Sequence, residues 1–530
     1  MTLLTDFKKL KDEGGLNAET ASRLAFSAVD QLINQDRHDP PYSDDNNYVR
    51  DAVTLLCEIT ADKDPGLARI GITALFPTLI EKLNDSFDPA LCSLYDQVFS
   101  QVIDFYRRVA GGEELDEGLR RFDLVDEADL LRRKSRVLKP RIPDPHSFGA
   151  VKKVLLLSRV TIGADVAVTS VIIAKLRKVL PAAEFVILGS HKLRDLFDGD
   201  PHLRIREITY ERTGGVLARL KSWLDVVKAV ADEQRGYQRD EFWLIDPDSR
   251  LTQLGLLPLL SDETNYFFFE SRSYRRSDAG PLGALTSCWV DELFGTRGGA
   301  LSYVSLPEAH RLFGEAIGQR LRGGRTSHLV TISLGVGGNE GKRISDSFEE
   351  ELILRILQDS TIILDKGASR EERQHINRIA AMVRAQGQIV IEADERNAAE
   401  LLRQQTIGAD VLTWEGGIGS FAALIAASDE YIGYDSAGQH IAVALGRPTL
   451  TIFVNSNSPT FAERWRPFGS GESRALIVDP ARRADPQNVL SDALKLHGLL
   501  RSLAWLAYFI AFASSSLISN SAISLGTLVM

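Results

Sequence analysis

The sequence predicts an α/β protein: two stretches of alternating strands and helices, preceded by an all-α segment. Three observations carry this. Up to about residue 136, apolar residues recur at helical spacing. From Val151, short runs rich in Val, Ile and Leu alternate with amphipathic stretches, the pattern of a parallel sheet covered on both faces. The alternation then restarts near residue 325. The expected organisation is an α-helical N-terminal domain over 1–137, a linker over 138–150, α/β domains over 151–324 and 325–500, and an apolar, serine-rich tail over 501–530.

A chain of 530 residues suits two or three domains. The hydrophobic fraction of 44% and charged fraction of 25% are those of soluble globular protein. The net charge of −10 argues against broad binding to nucleic acid, so no nucleic-acid partner is expected. Cys57, Cys92 and Cys288 lie far apart without a Cys-x-x-Cys and read as reduced thiols. Charges follow the first few residues too soon for a signal peptide, which predicts a cytoplasmic protein. From Leu503 onward there is no charged residue. The apolar run 503–513 is short of the roughly 20 residues a span needs. It reads as a helix packed on the protein, or as a peripheral contact at the inner membrane face.

In the first segment, 18–33, 53–59, 67–83 and 91–109 carry helical spacing. Asp64-Pro65 and Asp88-Pro89 are helix starts. His38 between Asp36 and Asp39 could suggest a metal site, but Pro40 and Pro41 mark a solvated loop. The basic run 131–136 could touch an anionic lipid or acceptor; a solvated helix end is the more common meaning. Pro140, Pro143 and Pro145 then read as a linker.

In the first α/β stretch, 154–158 is a buried strand, 159–164 a loop and 165–180 a helix. Ligands on parallel sheets bind beyond the C-terminal strand ends, where this loop and Asp165 lie. By itself Asp165 is an acid in a helix first turn, whose dipole would lower its pKa. Strands follow at 185–189, 203–208 and 242–245, with a helix at 216–231. The stretch 266–277 sets aromatics before Arg272, Arg275 and Arg276. Stacking on nucleic acid is conceivable, but a core strand at 267–269 with arginines lining a cleft or facing solvent is the better reading.

In the second stretch, strand 328–334 leads into a loop containing Gly335, Gly337, Gly338 and Gly341, and then helix 345–357. Gly-x-Gly-x-x-Gly fails at Glu340. Walker A fails at Val336 and Arg343. What remains is a loop ending in two cations, Lys342 and Arg343, suited to a diphosphate. Strands follow at 361–364, 389–391 and 411–413. Gly416 lies in a turn whose bare backbone could approach a base or sugar. Strand 430–434 then runs into Asp435-Ser436-Ala437-Gly438, a helix opens at about Gly438, and strand 449–453 follows. Asp435 and Ser436 occupy helix N-cap positions, and the N–H groups behind them face an anion such as a diphosphate. His440 by itself is a structural histidine.

The run from Tyr434 to Phe453 resembles the signature of the heptosyltransferase family, glycosyltransferase family nine: Asp-Ser-Gly-x-x-His-x-Ala-x-Ala-x-Gly-x-Pro-Thr. Here Ala437 replaces the glycine and Gly438 follows it. Ile162-Gly163-Ala164-Asp165 resembles the family's first motif with one residue inserted, and Asn455 replaces a later glycine. The resemblance covers about 151–480. It implies the glycosyltransferase B fold, two Rossmann-like domains facing a cleft. The implied reaction is transfer of a sugar, with inversion, from a nucleotide diphosphate to an acceptor hydroxyl. Asp165 would be the catalytic base. Lys342, Arg343, Glu371, Gly416, Asp435, Ser436, Ala437, Gly438 and His440 would bind the donor, Glu371 at the ribose. Arg272, Arg275 and Arg276 would hold an anionic acceptor. ADP-heptose is the implied donor, a glycan or lipopolysaccharide-like glycolipid the acceptor, with no metal and no further cofactor. A non-catalytic nucleotide-sugar-binding protein and a nucleotide-sugar epimerase of the same fold remain alternatives.

Overall fold

The computed structural model describes residues 2–34, 47–210, 214–276, 280–323, 328–455 and 458–502. His38 with its flanking acids, Ser277 and the apolar tail from Leu503 lie outside the described residues.

The N-terminal segment is helical. Asn17 and Thr20 form a reciprocal capping box at the start of Ala18–Ile33. Asp64 and Asp88 cap the helices that open at Pro65 and Pro89, where a proline lacks only an N–H that would be unpaired anyway. The helix read over 67–83 runs from 65 to 85 but widens into a π turn, Ala74–Ile80, around Pro77. Proline cannot make the regular backbone bond, and the wider turn accommodates its ring. The helix Glu127–Val137 closes the segment.

Five parallel strands follow: β1 Lys153–Leu157, β2 Glu184–Gly189, β3 Leu203–Glu207, β4 Phe242–Asp246 and β5 Tyr266–Phe268, in the order β3-β2-β1-β4-β5. Every residue of β1 and β4 is buried, which is why 154–157 and 242–245 read as continuous apolar runs. One hydrophobic core contains Leu24, Val53, Leu75 and Phe99 of the helices together with Leu155, Val186 and Leu244 of the sheet. The described residues within 2–193, 201–300 and 458–464 accordingly form one compact unit. The separate domains expected on either side of 138–150 are therefore packed as one, because the helices cover a sheet face that would otherwise meet water. Helix Leu282–Phe294, not foreseen from the sequence, covers part of the other face.

Among the described residues, the second unit comprises 194–200, 301–323, 328–455 and 465–502. Its strands are β6 His328–Ser333, β7 Ser360–Asp365, β8 Val390–Asp394, β9 Val411–Glu415, β10 Glu430–Tyr434, β11 Thr449–Val454 and β12 Ser473–Val478. All are parallel, in the order β12-β11-β10-β6-β7-β9-β8. Phe348, Leu352, Ile376 and Val383 from helices Asp346–Ile356 and Arg370–Ala385 pack on one face. Ile317, Leu321 and Leu424 from helices Glu308–Arg322 and Ile418–Ala427 pack on the other. A methyl on Gly314 would stand 2.2 Å from the carbonyl of Ala423, so only glycine lets those two helices approach.

The strand order reverses between β1 and β4 in the first sheet and between β6 and β10 in the second. Loops leaving neighbouring strands in opposite directions open a crevice at such a point, and ligands bind there. Among the described residues no helix is long and apolar enough to cross a membrane.

Candidate functional site

At the second sheet's reversal point, the glycine-rich loop after β6 meets the turn after β10. Lys342 Nζ lies 2.8 Å from Asp435 Oδ2. Asp435 Oδ1 accepts from Gln439 Nε2 at 2.8 Å. Ser436 occupies the N-cap position of helix Ala437–Ala444 in extended conformation, but its side chain makes no capping bond. The expected side-chain cap is therefore absent. The first-turn N–H groups stand open one residue from an ammonium group, which favours an anion.

The order Ala437-Gly438 has a packing cause. A methyl on Gly438 would stand 2.2 Å from the Tyr431 hydroxyl, which passes beneath the turn. Ala437 is only half-buried. Asn455, where the family pattern has glycine, takes φ +47°, a left-handed conformation that asparagine tolerates better than most residues. Its Nδ2 donates to the carbonyl of Gly341 in the Lys342 loop at 3.2 Å.

His440 is buried, 5.9 Å from the Trp465 ring and edge-on to it. Burial pushes its pKa down to about 4, so the ring is neutral near pH 7. Its Nδ1 and the Oε1 of buried Gln439 have no hydrogen-bond partner among the described residues. Two such atoms beside an open helix start are what a polar ligand would satisfy.

Arg343 does not accompany Lys342 at the turn after β10. Its guanidinium reaches Glu349 (2.6 and 3.0 Å), Asp346 (2.6 Å), Glu340 (3.0 Å) and His375 Nε2 (2.7 Å). Glu349 also accepts from Tyr434 at 2.8 Å. Asp346, Glu349 and His375 lie close enough to hold a metal, but Arg343 lies within hydrogen-bond distance of all three. The cluster anchors the glycine loop to helix Asp346–Ile356.

Glu371 is exposed at the start of helix Arg370–Ala385. Its neighbour Glu372, missed in the sequence, accepts from the N–H groups of Val336, Gly337, Ala368 and Ser369 at 2.9–3.1 Å. These four bonds hold its pKa down against burial and tie the loops after β6 and β7 together. The capping-box spacing from Ser369 to Glu372 was the available signal. Gly416 follows β9, where a methyl would meet Trp414 Nε1 at 2.6 Å and Ser420 Oγ at 2.7 Å.

In the first unit, Asp165 lies at the reversal point between β1 and β4. Helix starts at Ile162, and a π turn spans Asp165–Thr169. The carboxylate is 1% exposed. It accepts from Ser158 Oγ (2.6 Å), Arg159 N (2.7 Å) and Thr169 Oγ1 (2.9 Å). Burial outweighs these bonds and raises its pKa to about 6, the reverse of the lowering expected from a helix start.

The three arginines after β5 separate. Arg272 is buried, donating to Asp248 Oδ2 and Asn84 Oδ1 at 3.0 Å each. It neither lines a cleft nor faces solvent, because the helical segment covers it. Arg275 is exposed and donates to the carbonyl of Phe87 at 3.1 Å. Arg276 pairs with Glu292 at 2.7 Å. The basic run of the last N-terminal helix is likewise not simply solvated: Arg133 and Lys134 are buried.

Residues 355–479 match the family model of glycosyltransferase family 9 (heptosyltransferase), a segment that includes Glu371, Gly416 and Asp435–His440. Among solved structures, the chain is similar to a family 9 glycosyl transferase from Veillonella parvula DSM 2008 (12% identity, 68% of this chain and 99% of that one, TM-score 0.47). It is also similar to the E. coli ADP-heptose lps heptosyltransferase II (16%, 65% and 98%, TM-score 0.43) and to the E. coli heptosyltransferase WaaC with ADP (12%, 65% and 99%, TM-score 0.44). No curated protein matches the chain.

Proposed function

We propose, for a chain that is heptosyltransferase-like over 355–479, that it moves a sugar from a nucleotide diphosphate to an acceptor hydroxyl with inversion. ADP-heptose is the donor we favour, and a glycan or lipopolysaccharide-like glycolipid the acceptor. The carrying observation is the open start of helix Ala437–Ala444 with Lys342 beside it.

In this reading the diphosphate sits at that helix start. Lys342 exchanges Asp435 for phosphate oxygen, and the N–H groups behind Ser436 stabilise charge on the departing oxygen. Gln439 and His440 supply further polar contacts, and Glu371 meets the ribose. Asp165 takes the acceptor hydroxyl proton while that oxygen bonds to the anomeric carbon. The bond from that carbon to the diphosphate breaks, and its electron pair leaves with the diphosphate. A pKa of about 6 keeps Asp165 ionised at neutral pH and strong enough to accept a proton. No metal or further cofactor enters the scheme.

A binding-only reading has one observation in its favour: the Asp165 carboxylate already holds three donors. A donor screen separates the two. ADP-heptose, ADP-glucose, GDP-sugars and UDP-sugars are tested by thermal shift and nucleotide release with a glycan extract. Release by wild type, lost in Asp165→Ala with binding kept, supports transfer. Binding without release, unchanged in the variant, supports the binding-only reading.

A further inference from the structure

The proposed reaction makes no use of the first 137 residues, yet their last helix reaches into the loops that surround Asp165. Lys134 Nζ donates to the carbonyl of Leu254 at 2.6 Å and pairs with Glu270 at 2.9 Å. Arg133 Nη1 donates to the carbonyl of Gly255 at 2.7 Å, and its Nε to Glu263. The carbonyls they hold belong to a segment, 253–255, whose residues all take positive φ.

A second arm runs from the helices to the carboxylate itself. Asn84, 7% exposed, accepts from Arg272 Nη1, and Arg272 Nε donates to Asp248 Oδ2. The guanidinium lies 4.9 Å from the Tyr95 ring centre. Ser271 Oγ donates to the same Asp248 oxygen and accepts from Arg159 Nη1 at 2.7 Å. Arg159 also donates its Nη1 to the carbonyl of Pro247 and its backbone N–H to Asp165 Oδ1. An unbroken series of hydrogen bonds thus joins Asn84, in the helical segment, to the carboxylate of Asp165.

Two features set this series apart from ordinary support. Val160 and Asp248 take φ +74° and +66° in the loops after β1 and β4. A β-branched residue in that region is strained, and strain persists only where surroundings over-determine it. Arg272 Nη2 and Asp248 Oδ1 are also buried without a hydrogen-bond partner among the described residues. An apolar pair of similar volume often stabilises a core at least as well as a buried ion pair, so stability alone gives little reason for this one.

We propose that Asn84, Asp248 and Arg272 are positioning residues through which the helical segment sets where the Asp165 carboxylate points. The proposal rests on the transferase reading for what Asp165 does, though not for the coupling itself. It makes the segment an integral wall of the proton-accepting side rather than a detachable module.

The test uses the full chain with Arg272→Met, Arg272→Lys and Asn84→Ala. Hydrogen exchange is followed by peptide mass spectrometry, alongside kcat and donor KM for ADP-heptose. In Arg272→Met, exchange across 158–166 should rise about tenfold while peptides from β2 and β3 keep wild-type rates. Its kcat should fall about 100-fold, with donor KM within about twofold. Arg272→Lys keeps the charge and should recover part of both. Asn84→Ala removes one bond and should move the same peptide by a smaller factor. Unchanged exchange at 158–166 in both Arg272→Met and Asn84→Ala would overturn the proposal, as would a rise spread evenly over the first unit. If wild type shows no turnover, the transferase reading fails, and the exchange data still decide the coupling.

Discussion

Lys342 and Asp435 meet where the second sheet reverses its strand order, Nζ 2.8 Å from Oδ2, with the lysine side chain 32% exposed. A partly exposed pair of this kind contributes about 0–1 kcal/mol and rearranges easily. Asp435 therefore holds the ammonium beside the helix start without locking it. Lys342→Met should leave the unfolding midpoint nearly unchanged. A charged hydrogen bond to phosphate contributes about 1.5–3 kcal/mol, so ADP affinity should fall about 10–100-fold, read by titration calorimetry.

Asp165 should impose a pH dependence of known sign. Burial raises its pKa to about 6, so turnover needing the ionised carboxylate should rise with pH through about 6. Asp165→Asn should give a flat, low profile. Folding favours the protonated form, so this group's contribution to stability is fully present below the unfolded value of about 3.9 and is lost as pH rises through about 6. Urea unfolding from pH 4 to pH 8 should show that loss in wild type and a smaller one in the variant.

Gly438→Ala puts a methyl 2.2 Å from the Tyr431 hydroxyl. Overpacking of this kind costs about 1–3 kcal/mol and should displace the helix start, weakening ADP binding as well. Ala437→Gly, one residue earlier, should cost at most about 1 kcal/mol. Denaturation midpoints and calorimetry of both variants check the contrast.

Adjacent glutamates should behave differently. Glu372→Ala leaves four backbone N–H groups unanswered, costs about 1–3 kcal/mol and should speed proteolysis of the 335–343 loop. Glu371→Ala should stay within about 0.5 kcal/mol of wild type and act only on donor binding.

Arg133 is a buried cation with a carboxylate, Glu263, on one side and a carbonyl on the other. Arg133→Ala leaves Glu263, among the described residues, with only Arg136 as ion-pair partner and should cost about 3–5 kcal/mol by urea unfolding.

The alternation of apolar runs and helices determined both α/β stretches, because strands buried on both faces need nearly continuous apolar runs, as in 154–157 of β1 and 242–245 of β4. Local chemistry also determined the caps at Asp64 and Asp88 and the turn at Asp435. Strand β12 and helix Leu282–Phe294 lack so plain a periodicity; helix Glu308–Arg322 has it, with Leu312, Phe313, Ile317 and Leu321 at helical spacing, and was legible.

What the tertiary structure decided was which partners each charge meets and how deeply it is enclosed. Lys342 and Arg343 are neighbours in sequence, yet one faces Asp435 at the open helix start and the other is enclosed by Glu349, Asp346 and Glu340. Glu371 and Glu372 divide in the same way. Arg272 and the Arg133-Lys134 pair read as surface cations and became buried ones. Charge is a property of the residue, but its availability depends on desolvation and on partners distant in sequence. Asn84 reaches Arg272 across 188 positions, and no local pattern encodes that meeting.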